Sequence, residues 1–593
     1  MKQTLITTAL IASLAACGGG GGGSPTPTPT PTPTPQKLSG TAAAGLPIVG
    51  SVTVKDATGK TVTVPIDNGS YSVDVTGLTA PFMLRASGMV GDREYVIHSA
   101  ATSADVNATL NITPLTDLIV ANVAGQIAAR HFDAGQFAGL SKAELDAEAA
   151  QLRTRLLPML QAMGVDAATD LLRTPFTPLS SALDKTLDAI RVTVDPSTQV
   201  ATLANIVTQQ RITDDLKTKA AAETGAAKMD DTANLATAKD DVPAIRASVK
   251  GFFDLFAKGL PSAAALKALT TSDFLLNDAS SDDWAAWASA NAQLVGNTAP
   301  EVVVQRIDYS DPARAIAEVS FVVHSAQGVP RDIAKRFLLA KGSDKVWRLH
   351  GNQRKLDINA SAHHVLGQDG CMYSGLEFWI EDNNRANSSN VSYVVIKGPG
   401  LPASGVRLNA PAGDDHWLFD ASVGQPGSYY RMAGSCAGSP QSGDAVIAAI
   451  PDQAEYEIRA YTSAGAPVAL NSSGVYRETV ARRPLTQAEL KTSLFPRITA
   501  PTTLKGYAGG SLSISASNLP AGRAGWVFVN QQTSKGNYRE AEGDTQISGS
   551  GTLSTTLSLG AVPAGDTVTR TELRVQGTDA FWRRFMTLMV DGQ

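Results

Sequence analysis

Cysteine is scarce in this chain, with three in 593 residues. One of them, Cys17, falls in the N-terminal leader, which leaves Cys371 and Cys436 in the body. Charge is also thin. Charged residues make up 18% of the chain, against about 25% in average soluble proteins. Ala, Gly, Ser and Thr fill the gap, as suits exported β-rich modules with neutral polar surfaces. The net charge of −5 is small for this length, so nothing steers the protein toward nucleic acid, and no nucleic-acid partner is expected. A run of 20 apolar residues does not occur, so no helix long enough to span a bilayer is expected. No G-x-S-x-G, H-E-x-x-H or G-x-G-x-x-G pattern supports hydrolase, zinc-protease or dinucleotide chemistry, and no cofactor is expected.

What is present begins with an address. Met1-Lys2 supplies a positive start, Leu5 to Leu14 a short apolar stretch, and small residues follow. This is the pattern of a secretory signal, too short to span. Its end, Leu14-Ala15-Ala16-Cys17, resembles the lipobox of bacterial lipoproteins. That resemblance implies a diacylglycerol on the Cys17 thiol and cleavage that makes Cys17 the N-terminus (residues 1–17 as signal peptide with lipobox). One acyl chain binds a membrane reversibly, whereas several anchor stably. Gly18 rather than Asp follows the cysteine, so the resemblance implies outer-membrane sorting. Gly18 to Gly23 is a glycine run, and Pro25 to Pro35 alternates Pro with Thr. Glycine gives a floppy coil, and the Pro-Thr run is forced toward polyproline II, a semi-rigid spacer of roughly 30 Å. Residues 18–37 therefore read as a linker that makes sense only if Cys17 is attached to something. In an oxidising compartment Cys371 and Cys436 read as a disulfide, with two buried free thiols as the alternative.

The body is too long for one core, since single cores stop growing at about 250–300 residues. About 150 residues per domain suggests roughly four. The expected class is multidomain and mainly β, with β-sandwiches flanking an α-helical segment and an α+β cone-like unit. Residues 38–112 read as a small β-sandwich: Ser51 to Val54 and Thr61 to Val64 flank a turn, Asp67-Asn68-Gly69 is a second turn, and Tyr71, Val73 and Val75 alternate. Pro47-Ile48-Val49-Gly50-Ser51-Val52-Thr53-Val54, Gly59 and Asp67-Asn68-Gly69-Ser70-Tyr71 resemble the carboxypeptidase regulatory-like domain, a transthyretin-like sandwich. The resemblance implies a non-catalytic spacer or adhesive module.

Residues 113–241 switch to helical period. Thr113-Pro114 is an N-cap with proline at the first helical position, and Ser141-Lys142-Ala143-Glu144 fits a capping box. Ile190 to Val194 and Val200 to Ile206 form a candidate hairpin, and Thr218 to Asp241 reads as a polar helix or linker. Residues 242–361 carry two helical stretches and four strands, Val302 to Tyr309, Ala313 to His324, Asp332 to Lys341 and Lys345 to Gln353. Helices followed by an antiparallel meander, with Val346-Trp347-Arg348-Leu349 on its last strand, resemble the cone fold of ketosteroid isomerase and nuclear transport factor relatives. Members are enzymes, ligand binders or partner-binding modules, and the fold alone does not choose. Residues 362–483 read as a β-sandwich, 484–495 as a connector with a short helix, and 496–593 as a C-terminal β-sandwich. Both sandwiches loosely resemble immunoglobulin or fibronectin type III domains.

Candidate chemistry concentrates in the cone-like unit. Asp308, Glu318, His324, Arg348 and His350 alternate so as to share a sheet face, and a carboxylate near a histidine in an apolar cone serves as a general base. The same alternation is the ordinary solvated face of a half-buried sheet, and that reading is preferred. His363-His364 with Asp369 lacks metal-site spacing, because adjacent residues of an extended chain point to opposite faces. Glu381-Asp382-Asn383-Asn384 lacks an ordered calcium loop. Gly434-Ser435-Cys436-Ala437-Gly438 has the form of a nucleophile elbow but is followed by loop, not helix. Loop aromatics Trp417, Tyr429 and Tyr430 are candidates for contact with a glycan or protein. The expectation is a non-catalytic envelope lipoprotein of the outer membrane, facing the periplasm or the cell surface. Its partners would be the membrane, through its lipid, and an envelope protein or glycan. The alternative is a ligand binder or enzyme built on 242–361.

Overall fold

A computed structural model describes residues 35–137, 140–218, 226–382, 390–410, 417–425, 427–436, 442–470, 474–520 and 523–592. The leader, Cys17 and the linker as far as residue 34 lie outside the described residues, as do Asn383-Asn384 and Ala437-Gly438. The chain is mainly β, with several sheets and few helices. Among the described residues no helix is long and apolar enough to cross a membrane.

The first unit has two sheets. One runs Thr61–Pro65, Val49–Asp56, Phe82–Val90, Arg93–Ala101, and the other pairs Lys37–Thr41 with Ser70–Asp74. Val52, Val54, Tyr71, Val73 and Leu84 fill the space between them. Asn68 and Gly69 both take positive φ (47° and 83°), and Asp67 and Ser70 exchange backbone hydrogen bonds across them. That is the tight hairpin turn which Asn-Gly favours.

Helices Pro114–Ala124 and Lys142–Ala162 start at Thr113 and Ser141, each with a reciprocal capping box. The hairpin at 190–205 gains a third strand, Arg211–Asp215. Helix Leu235–Leu255 then lays Ile245, Val249 and Phe253 on a core shared with the six-stranded sheet behind it. That sheet has the order Ala279–Ser280, Thr270–Leu276, Trp347–Gly351, Pro330–Lys341, Ile316–His324, Val302–Asp308. One apolar cluster therefore runs from the helical segment through the α+β unit.

Two boundaries drawn from sequence fall inside regular elements. Residues 241/242 lie within helix Leu235–Leu255, and 361/362 within strand Asp357–Leu366. The two C-terminal sandwiches also share a sheet. Its seven strands run Tyr429–Gly434, Met372–Glu381, Asp357–Leu366, Arg584–Gly592, Val568–Thr578, Ala524–Thr533, Tyr538–Gln546. The last strand of the chain makes the join, pairing parallel to Asp357–Leu366 and antiparallel to Val568–Thr578. One face of this long sheet buries Leu376, Phe378, Val527 and Val529 in cores shared with separate partner sheets. The other face is left toward the α+β unit.

Candidate ligand-binding cleft

Between that open face and the α+β unit lies a cleft of about 1820 Å³. Strand alternation explains its floor. On Ala524–Thr533, Val527 and Val529 point into the core, so Trp526 and Phe528 project on the opposite side, their rings stacked at 5.3 Å. Met586 on strand 584–592, which strand 568–578 separates from Ala524–Thr533, and Glu377 and Trp379 on 372–381 extend the lining. The roof comes from the α+β unit, where Phe252, Phe253, Trp284, Phe321 and Phe337 form an aromatic cluster with centroid spacings from 4.9 to 6.1 Å. Trp287 and Tyr538, both more than half exposed, stand among the lining side chains. Asp579 builds a further part: its carboxylate accepts from the Phe581 and Arg583 backbone N–H groups, and the turn presents Phe581 and Trp582 to the cleft. Five of the seven tryptophans of the chain line this one space.

Its cations are all engaged. Eight basic and eight acidic side chains line it, and each basic one has a carboxylate within 4.0 Å. Arg331 is held by Asp544 (2.6 Å), Lys335 and Arg354 face Glu478 (3.6 and 3.9 Å), and Arg584 holds Glu377 (2.8 Å). Arg570 and Arg574 share Glu572 at 2.5 Å each, Arg583 pairs with Asp579 (2.7 Å), and Arg482 with Asp452 and Glu94. Burial would raise Glu377, but His363 (3.0 Å) and Arg584 beside it hold it well below the usual carboxylate range. Asp357 behaves oppositely. Burial, and then the charge of Glu381 directly opposite on the neighbouring strand, push it up to about 6.

The residues singled out from sequence are distributed elsewhere. Cys371 and Cys436 do form a disulfide, which brackets the adjoining ends of strands 372–381 and 429–434. Asp308 is tied to Arg306 and the Ser310 N–H, His324 to the Gly328 carbonyl, and Arg348 to Asp344. His350 sits against Thr271 and Arg314, and burial lowers it to about 4. Among the described residues no hydrogen bond or ion pair joins any two of these four, and none of the four lines the cleft. Glu318 is likewise absent from its lining. Asp308, His324 and Arg348 each find a partner within four residues in sequence, whereas His350 is held by residues of distant segments.

His363 and His364 point to opposite faces, the first to Glu377 and the second between the Arg584 carbonyl and the Leu485 N–H. The Leu485 donor needs a lone pair on Nε2, and burial lowers His364 to about 3, so it is a neutral core residue. No group of three or more metal-ligating side chains occurs among the described residues. Trp417 and Tyr430 are core residues, 1% and 3% exposed, not loop contacts; only Tyr429 reaches the cleft. Sequence reading missed Trp287, Trp526 and Trp582. The signal available was Gly525-Trp526-Val527-Phe528-Val529, whose alternation puts two large rings on the face opposite the valines.

No family model matches the chain, and no curated protein matches it. Among solved structures, one concerned with host-cell-surface retention of a 1.5-MDa bacterial ice-binding adhesin aligns over 47% of this chain and 73% of its own, at 12% identity and TM-score 0.12. A tetra-tandem repeat from the extending region of a large adhesion protein aligns over 94% and 98%, at 11% identity and TM-score 0.13. At such TM-scores neither likeness bears on fold or function.

Proposed function

We propose that the protein is a lipid-anchored envelope protein that binds a partner in the cleft rather than transforming it. The lipobox-like Leu14-Ala15-Ala16-Cys17 supports the anchor, and the Gly and Pro-Thr linker after it supports a body held off the outer membrane. The observation that carries the binding reading is the cleft itself: large, rimmed by accessible aromatic rings, and furnished with cations already engaged by protein carboxylates. Pockets for small ligands usually measure about 300–1,000 Å³, so this one suits a larger occupant.

The anchor is tested by labelling cells with an alkyne fatty acid. Wild-type protein takes the label and pellets with membranes, and Cys17→Ser does neither. Unlabelled wild-type protein would refute the anchor.

Asp357 favours a second reading, hydrolysis with that carboxyl as general acid, because burial and the neighbouring Glu381 push it up to about 6. Turnover of any bound glycoside that Asp357→Asn abolishes would establish it.

A further inference from the structure

We propose that the cleft binds an uncharged polysaccharide chain. This rests on the binding reading above and names its ligand. Three independent features converge. First, the tryptophans Trp287, Trp526 and Trp582 come from three distant parts of the chain, yet all face one space. A flat ring matches the C–H face of a pyranose, while the sugar's hydroxyls need partners in the plane around it. Second, those partners are there: eight Asn and Gln side chains line the same space, including Asn359 and Gln576. Amides both donate and accept, as a hydroxyl requires. Third, the charge pattern selects against anionic occupants. An anionic glycan, a phosphate or a nucleic acid needs cations to spare, and each cation here is neutralised by a carboxylate within 4.0 Å. Breaking the pairs to Glu377, Glu478 or Glu572 leaves a buried carboxylate behind, which costs more than a new contact returns. The paired ions instead offer fixed donors and acceptors to neutral hydroxyls.

A proline-rich peptide also uses aromatic grooves, but it reads a shallow surface through stacked rings and carbonyls. It would leave the amide lining of a space this deep without partners.

The test titrates detergent-solubilised full-length protein with neutral hexasaccharides (cellohexaose, maltohexaose and N-acetyl-chitohexaose), following tryptophan fluorescence and heat. Polygalacturonate fragments and a Pro-Thr peptide serve as competitors. The expected result is saturable binding of a neutral hexasaccharide that changes little between about 50 and 500 mM salt. Trp526→Ala and Trp287→Ala each weaken it about ten-fold. Trp287 is 55% exposed, so its replacement leaves the thermal transition in place and isolates the ligand effect. Trp526→Phe restores part of the loss. The proposal is overturned if no neutral hexasaccharide binds up to about 5 mM, if only polygalacturonate binds and salt removes it, or if the peptide binds and the sugars do not. Binding of polygalacturonate or the peptide alone would overturn the ligand assignment while the binding reading stands, whereas binding of none of the probes would count against both.

Discussion

Replacing Cys371 and Cys436 together with serine should weaken the seven-stranded sheet by an amount that follows from chain length. The two residues flank neighbouring antiparallel strands, and 65 positions separate them in sequence. The loop between them contains strands of a second sheet, Tyr393–Lys397 and Val406–Asn409, so the cross-link restricts a segment that is otherwise free to wander when unfolded. Closing a loop of that length removes about 4 kcal/mol of unfolded-chain freedom in the entropy treatment. Both cysteines are only half-buried, so serine hydroxyls meet water and the native state loses little. For the unit built on the seven-stranded sheet, residues 357–592, about 4 kcal/mol corresponds to a fall of roughly 8–16 °C in Tm. Differential scanning calorimetry on wild type and the double variant reads this directly, and wild type in reductant should track the variant. A fall of less than about 3 °C would show that the bridge does not constrain the unfolded ensemble, for instance because residual structure already closes the loop.

Trp417 fills the core beside Phe419 and Tyr430, so Trp417→Ala should cost about 3–5 kcal/mol in urea unfolding, while Trp287→Ala should stay within about 0.5 kcal/mol; equal losses would contradict the burial assigned to them. Arg246 holds the buried Asp188 through both guanidinium arms (2.6 and 2.8 Å) and also donates to the Val302 carbonyl. Arg246→Met leaves that carboxylate uncompensated and should cost about 3–5 kcal/mol; a loss below about 1 kcal/mol in the same assay would place Asp188 in contact with solvent. Asp184 is pushed up to about 7 by burial and by Asp188 beside it, from an ordinary 3.8. The native state then keeps a proton that the unfolded chain sheds, so this contribution is complete below about pH 4 and is lost as pH climbs to about 7. The Tm of Asp184→Asn minus that of wild type should therefore rise over that window and level off above it; a flat difference would mean that the carboxyl ionises as freely folded as unfolded.

The sequence by itself determined the local features of this protein. Thr113-Pro114 and Ser141 with Glu144 start helices because the caps are built from residues three apart. Asn68-Gly69 makes its turn because both positions need positive φ. Tyr71, Val73 and Val75 are buried because a strand alternates. The mainly β, multidomain class follows from many such signals in series. The aromatics show where local patterns stop: Trp417, just before the two-residue strand Leu418–Phe419, is core, while Trp526, inside strand Ala524–Thr533, faces a cleft.

Only the tertiary structure decided which strands became neighbours. Strand alternation says which face is apolar but not whose N–H and C=O groups will pair with it, since every strand edge offers the same donors and acceptors. Arg584–Gly592 therefore carries no mark that it will lie beside Asp357–Leu366, more than two hundred residues earlier, and fuse two sandwiches into one sheet. The cleft follows from that pairing. It belongs to no segment, and its tryptophans and ion pairs meet there only because the long sheet and the α+β unit leave a gap between them.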